Sequence, residues 1–263
     1  MTKVTVTIIT LNEAAHIGDC LASVAWADER LVVDSGSTDG TAELARAAGA
    51  RVIVRDWPGY AAQKNFAAGE AAHDWILSLD ADERVTPDLA REIQALLGAP
   101  ASPARAGYRI PRVTWHLGRW IWHTDWYPDY QLRLYDRRRA RWRPRRVHES
   151  VEVDGGDYGH LAGDLQHYAY RDEAHHRQTM ERYTTLAAEE MHASGRRAGL
   201  ASLALHPLAA FLRNYVLRAG FLDGRAGLTI SAMNARYVYL KFTKLRALQR
   251  AAAAARGRRA GSP

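Results

Sequence analysis

Two periods of hydrophobic and polar positions alternate along the first hundred residues. "VTVTIIT" (4–10), "RLVVD" (30–34), "RVIV" (51–54) and "WILSLD" (75–80) are short apolar, β-branched-rich runs with polar boundaries, and predict buried strands. Between them the apolar residues recur at helical spacing. "NEAAHIGDCLASVAWA" predicts a helix with Asn12 as its N-cap, "DGTAELARAAGA" one closed by Gly49, and "YAAQKNFAAGEAA" a third. In "TPDLAREIQALL" Thr86 is the expected cap and Pro87 the first helical residue. Strands alternating with helices in this way predict an α/β fold with βαβ units and a mostly parallel sheet. The pattern changes at the small-residue stretch "GAPASPARAG" (98–107), beyond which "GYRIPRVTW", "DYQLRLYD" and "VHESVEV" read as aromatic-rich strands. From 173 to 255 the chain reads as a helical extension, and 256–263 as a disordered tail. The expected division is therefore 1–172, with halves 1–97 and 98–172, followed by the extension.

Charge changes this picture more than overall composition does. The 263 residues carry a net charge of +7. Residues 1–100 hold 8 Lys+Arg against 15 Asp+Glu, a net of −7, so residues 101–263 hold 28 against 14, a net of +14. The second half is built for an anionic partner. "RRRARWRPRR" (137–146) has seven arginines in ten residues; guanidinium forks suit phosphate, with a solvated charge run or a nucleic-acid contact as alternatives. "HPLAAFLRNYVLRAGFLDG" (206–224) sets Leu208, Phe211, Leu212, Tyr215 and Leu222 along one side, with Arg213 and Arg218 placed to snorkel. The single Cys20 excludes an internal disulfide and fits a reducing compartment. The first residues lack the pattern of a signal peptide, and no uninterrupted run of about 18 apolar residues occurs, so no transmembrane helix is expected.

Candidate chemistry gathers where strands end, the place at which open α/β sheets bind ligands. The first predicted strand ends in Thr10, Asn12 and Glu13; the second in Asp34, Ser35, Ser37, Thr38 and Asp39; the fourth in Asp80, Asp82 and Glu83. Residues i and i+2 leaving a strand project alike, so Asp80 and Asp82 are expected to approach one point, with repulsion relieved by Mg²⁺ or Mn²⁺. The plainer alternative is a solvated acidic turn, with Glu83 a helix-terminal charge. "VVDSGSTDGT" lacks GxGxxG and a Walker lysine, so neither a dinucleotide fold nor a P-loop is supported.

"TIITLNE", "LVVDSGSTDGT" and "ILSLDADE", in that order and spacing, resemble family 2 glycosyltransferases of the GT-A fold. "PDYQLRLYDRR", "VHESV" and "DLQHYAYRD" are similar to the branch that builds the lipopolysaccharide inner core, related to its β-1,4-glucosyltransferases. The resemblance implies a Rossmann-like catalytic domain and inverting transfer of a hexose from a nucleotide sugar, UDP-glucose first. The implied acceptor is a phosphorylated, lipid-linked core glycan at the cytoplasmic face of the inner membrane, contacted by Arg143, Arg145 and Arg146. A polyprenyl phosphate or another cell-surface glycan is the alternative acceptor, and a nucleic-acid-binding protein using Arg137–Arg146 the non-enzyme alternative. The resemblance also assigns roles. Thr10, Asn12 and Glu13 would line the nucleobase and ribose pocket. Asp34 would accept from the base and Asp39 would hold the nucleoside. Lys64 would neutralise diphosphate, a solvated helix charge being its alternative. Asp80 would touch ribose and metal, Asp82 would ligate the metal, and His167 would complete the metal shell. The family's acidic pair, which supplies the general base, is absent here. Glu149 of "VHES", beside His148, is the first choice for that base and Asp129 the second.

Overall fold

The computed structural model describes residues 2–116, 118–144, 149–169 and 173–260, apart from the side chains of 173–177 and 255–260. Arg145, Arg146 and His148 lie outside the described residues. Two compact units form: Met1–Thr114 with Pro128–Ala169, and Trp115–Tyr127 with Tyr170–Pro263. The second unit thus takes 115–127, which the division at 172 left with the first.

In the first unit β1 (Val4–Thr10), β2 (Glu29–Asp34), β3 (Arg51–Val54) and β4 (Trp75–Asp80) alternate with α1 (Ile17–Ser23), α2 (Thr41–Ala47) and α3 (Tyr60–Glu70). A short β5 (Glu83–Val85) and α4 (Pro87–Gly98) follow. β1 is buried along its whole length because parallel neighbours flank it, β2 on one side and β4 on the other. The expected parallel core is present, in the order β3-β2-β1-β4. β6 (Gly107–His116) begins in the first unit; β7 (Arg119–Ile121) lies in the second. The first unit is completed by β8 (Asp129–Asp136), β9 (Ala140–Arg143), β10 (Ser150–Val153), β11 (Tyr158–His160) and β12 (Leu165–His167). β8 adds antiparallel to β4 and carries the sheet on through β6, β12 and β5, making it mixed. β9 and β10 form a separate hairpin.

Thr86 caps α4 through Leu89 N, with Pro87 at its first position, as the pattern predicts. Asn12 does not cap α1, which begins five residues later behind His16. Its φ of 55° puts Asn12 in the left-handed region, which Asn tolerates, and its amide is spent on a neighbouring loop. The main core packs Ile8, Leu77 and Leu79 of the sheet against Ile17 and Leu21 of α1 and Leu89 and Ile93 of α4.

The second unit contains α5 (Glu173–Ala193), α6 (Leu200–Leu212) and α7 (Gly224–Ala260). α5 and α6 both pack along α7 around Ala188, Phe242 and Leu245. α7 runs to Ala260, through most of the tail expected to be disordered, because the alanine-rich run propagates helix strongly. Among the described residues Leu200–Leu217 has the length and a mean hydropathy, 1.2, that would allow a helix to cross a membrane. Ser202, His206, Pro207, Arg213 and Asn214 interrupt the run without making it polar on average.

Candidate active site

The acids that crowd the end of β4 are neutralised by the protein's own cations. Lys64 of α3 has a side chain only 2 % exposed, and its Nζ lies 2.9 Å from Asp80 Oδ1 and 3.2 Å from Glu149 Oε1. It sits 4.3 Å from the ring centre of Trp142, which the β9–β10 hairpin brings under it. Arg133 of β8, equally buried, donates to Asp80 Oδ2 at 2.7 Å and to Glu83 Oε1 at 2.6 Å. Arg112 of β6 donates to the same Glu83 oxygen at 2.9 Å and to Asp129 at 2.6 Å. The register sets Arg112 directly opposite Asp129. A chain of alternating charge results, running Glu149–Lys64–Asp80–Arg133–Glu83–Arg112–Asp129. Its four carboxylates face three cations.

Burial alone would raise the pKa of Asp80, but Arg133 and Lys64 pull it well below the usual carboxylate range. Burial of Arg133 favours its neutral form, and Asp80 and Glu83 reverse this, so the guanidinium stays charged. Lys64 is therefore no solvated helix charge, and Glu83 no helix-terminal charge: its carboxylate also accepts from Asp80 N at 3.0 Å. Composition signalled neither arginine. Simple alternation does not place Arg133 either, because the register of β8 against β6 shifts between Leu134 and Leu132.

Asp80 and Asp82 do not leave one continuous strand, although the Asp80 charge still acts on the Asp82 carboxyl. The chain turns after Asp80, and Asp82 lies in that turn. β5 pairs with β12 so that His167 lies opposite Glu83, and Asp82 Oδ2 sits 3.4 Å from His167 Nε2. Burial pushes the Asp82 carboxyl up, and the hydrogen bond and charge of His167 bring it below its ordinary value. No group of three or more His, Cys, Asp or Glu side chains among the described residues is arranged to hold a metal. Asp82 and His167 nevertheless fit a dication that draws its other ligands from phosphate and water: they supply one oxygen and one nitrogen, and the buried His167 Nδ1 has no hydrogen-bond partner among the described residues. Asp80 gives one oxygen to Lys64 and the other to Arg133, each keeping a second lone pair.

The loops after β1 and β2 lock together around the expected nucleoside pocket. Asn12 Oδ1 accepts from Thr38 N at 2.8 Å, Asn12 N donates to Ser37 Oγ at 2.8 Å, and Glu13 N donates to Thr41 Oγ1 at 2.9 Å. Asp39 accepts from Ala14 N and from Thr41 N and Oγ1. Those bonds, led by the Thr41 hydroxyl, lower its pKa. Asp34 is 1 % exposed and spends its carboxylate on Gly36 N, Ser37 N and Ser37 Oγ. It shapes its own turn and presents no acceptor to a base. Thr10 is buried, and its Oγ1 has no hydrogen-bond partner among the described residues. Cys20 lies behind the acids; burial first, then Glu83, Asp82 and Asp80, push its thiol pKa well up, which suits a core residue and no nucleophile.

The arginine block is mostly committed. Arg137 donates to Ala68 and Ala71 carbonyls at the end of α3. Arg138 pairs with Asp136 and Asp74, Arg139 with Asp157, and Arg143 with Glu152 at 3.2 Å. Trp142 is buried and donates to Tyr135. Four of the seven arginines of the block are thus held by acids or carbonyls of the protein itself.

A mostly parallel sheet continued by antiparallel strands, with an acidic strand-end site and a cap of interlocked loops, defines the GT-A class of transferase. Residues 5–153 match Glycosyl transferase family 2, and the chain belongs to that family. It is 33 % identical over 246 residues to the lipopolysaccharide core biosynthesis glycosyltransferase LpsC of Rhizobium meliloti, covering 90 % of each chain. It is 30 % identical to an uncharacterized glycosyltransferase of Rickettsia typhi, over 94 % of this chain and 88 % of that one. Among solved structures, glucosyl-3-phosphoglycerate synthase from Mycobacterium tuberculosis, in complex with Mn²⁺, uridine diphosphate and phosphoglyceric acid, is similar at 16 % identity and a TM-score of 0.49, covering 75 % of this chain and 80 % of that one. The chain is a glycosyltransferase.

Proposed function

We propose that this enzyme transfers a hexose from a UDP-sugar, UDP-glucose first, to the inner core of lipopolysaccharide at the cytoplasmic face of the inner membrane, with inversion at the anomeric carbon. The observation that carries the reading is the shared ammonium of Lys64, which brings Glu149 to the same point as the strand-end Asp80. A base for the acceptor hydroxyl and the donor's diphosphate would then meet over one buried cation. Among the described residues Glu149 spends only Oε1, on Lys64, whereas Asp129 is held by two donors of Arg112 and by Gln131. Glu149 is therefore the base and Asp129 an anchor of the ion chain. Asp82 and His167 would hold a divalent cation, Mg²⁺ or Mn²⁺, which when bound supplies Lewis-acid stabilisation of the departing nucleoside diphosphate. Thr10, Asn12, Glu13 and Asp39 would frame the nucleoside, and Arg143, Arg145 and Arg146 would meet an anionic glycan. The acceptor class rests on the similarity to LpsC, a lipopolysaccharide core biosynthesis glycosyltransferase, over 90 % of each chain. A polyprenyl phosphate acceptor is the second reading, favoured by the apolar Leu200–Leu217.

A screen of nucleotide sugars with Mn²⁺ or Mg²⁺, against core glycan and polyprenyl phosphate, tests both. Glu149→Gln should keep donor binding by calorimetry and lose at least about a hundredfold in kcat. Asp82→Ala should lose metal-dependent donor binding. Wild-type turnover in Glu149→Gln would move the base elsewhere.

A further inference from the structure

The second unit leaves a large apolar face uncovered. From Leu200 to Leu217 only 11 % of residues are buried, although the segment's mean hydropathy is 1.2. The buried side is accounted for: Leu203 packs on the Ala188–Phe242–Leu245 cluster beneath α6. The opposite side repeats apolar residues at helical spacing, Leu205, Leu208, Leu212 and Val216, and continues through Leu217 and Phe221; all six are exposed, Leu217 by 78 %. A helix apolar on both sides, one of them in water, is not the design of a soluble surface helix.

Charge names what covers it. The 32 residues from Met191 to Leu222 contain no Asp or Glu and four arginines, Arg196, Arg197, Arg213 and Arg218. Arg213 and Arg218 share the single Asp125, so they are not the free snorkelling pair expected from the sequence. Arg196 and Arg197 have no acid partner among the described residues, and they stand just before the N-terminal end of α6. Apolar ridge and uncompensated cations on one segment match the two layers of an anionic bilayer surface, acyl chains and headgroup phosphates.

We infer that the ridge of α6 and the segment after it, from Leu205 to Phe221, docks the enzyme on anionic phospholipid, lying in the interface without spanning it. The inner side of α6 is already packed on α7, so only one side is free for lipid. This deepens the lipid-linked acceptor reading by naming the surface that meets the membrane, and its test does not involve turnover.

The full chain would be floated with phosphatidylcholine vesicles containing phosphatidylglycerol, and with phosphatidylcholine alone. Flotation with the anionic vesicles that weakens with added salt is expected. The Leu208→Glu/Leu212→Glu variant should partition at least about tenfold less, with its helical circular dichroism unchanged; Arg196→Gln/Arg197→Gln should lose the salt sensitivity. Leu44→Glu, on α2, serves as a control that floats normally. In case the double Leu variant misfolds, fluorescence of Leu212→Trp should shift blue on adding anionic vesicles. No flotation, equal flotation of the ridge variant, or a dimer by light scattering that Leu212→Glu dissociates would each overturn the inference. The last outcome would assign the ridge to a second copy of the chain.

Discussion

At the scale of single residues, Lys64 governs the site. A buried ammonium between two carboxylates is stable only because both partners are present, and removing it leaves Asp80 and Glu149 facing each other in a poorly solvated setting. Lys64→Met keeps most of the side-chain volume and its contact with Trp142 while deleting the charge. We expect a loss of about 2–4 kcal/mol in urea unfolding, below the range for a fully enclosed pair because both carboxylates retain some solvent. Adding Asp80→Asn should recover part of that loss, since the double variant no longer sets two uncompensated carboxylates against each other; the coupling is read from a double-mutant cycle. Additive losses would mean that Lys64 stabilises through packing alone. Turnover should fall in both variants, because the base and the strand end lose their common partner.

At the scale of elements, local chemistry made much of the site legible. Alternation, turn residues and the Thr86–Pro87 cap announce the βαβ half directly, because each is decided within a few residues. Glu149 and Lys64 were both picked out, yet their contact spans 85 residues and depends on a hairpin that no local rule places. Arg133 and Arg112 were missed for the same reason: their meaning comes from strand register, which sequence periodicity leaves open. Asp34 was misassigned because an acid at a strand end looks the same whether it greets a ligand or closes its own turn. His167 depends on a comparable long-range device. Its strand follows a loop that lies on α4, where Ala162 N and Gly163 N donate to Glu92 at 2.9 Å and a Cβ at Gly163 would come within 2.5 Å of Leu89 backbone. Gly163→Ala should therefore cost about 1–3 kcal/mol and lift β12, with His167, away from Asp82. Loss of metal-dependent donor binding along with stability would report the coupling; a lower melting temperature with intact binding would show that the loop moves independently.

At the scale of the molecule, the acids decide how stability responds to pH. Burial raises the carboxyl pKa of Asp80, Asp136 and Glu29, and specific partners more than reverse it. For Asp80 the partners are Arg133 and Lys64, for Asp136 the Arg138 guanidinium and backbone, and for Glu29 the Ala72 amide, the Thr5 hydroxyl and Arg51. A carboxyl whose pKa is depressed on folding contributes its full stability above its unfolded value, near about 4, and loses it as pH falls through the native value. Protonation in acid also adds to a chain already at +7, so self-repulsion acts in the same direction. In EDTA the melting temperature should stay flat from about pH 7 to 5 and fall steadily below about 4. Asp136→Asn should lower the midpoint at neutral pH and shrink its drop in acid. The sign distinguishes two accounts of the crowded strand end. Carboxylates left uncompensated until a dication arrives would have raised pKa values, and mild acid would then stabilise the metal-free protein. Carboxylates already neutralised by Lys64, Arg133 and Arg112 make the same acidification destabilising, so a melting temperature that rises below about pH 5 would remove the ion chain as the reason those acids can stand together.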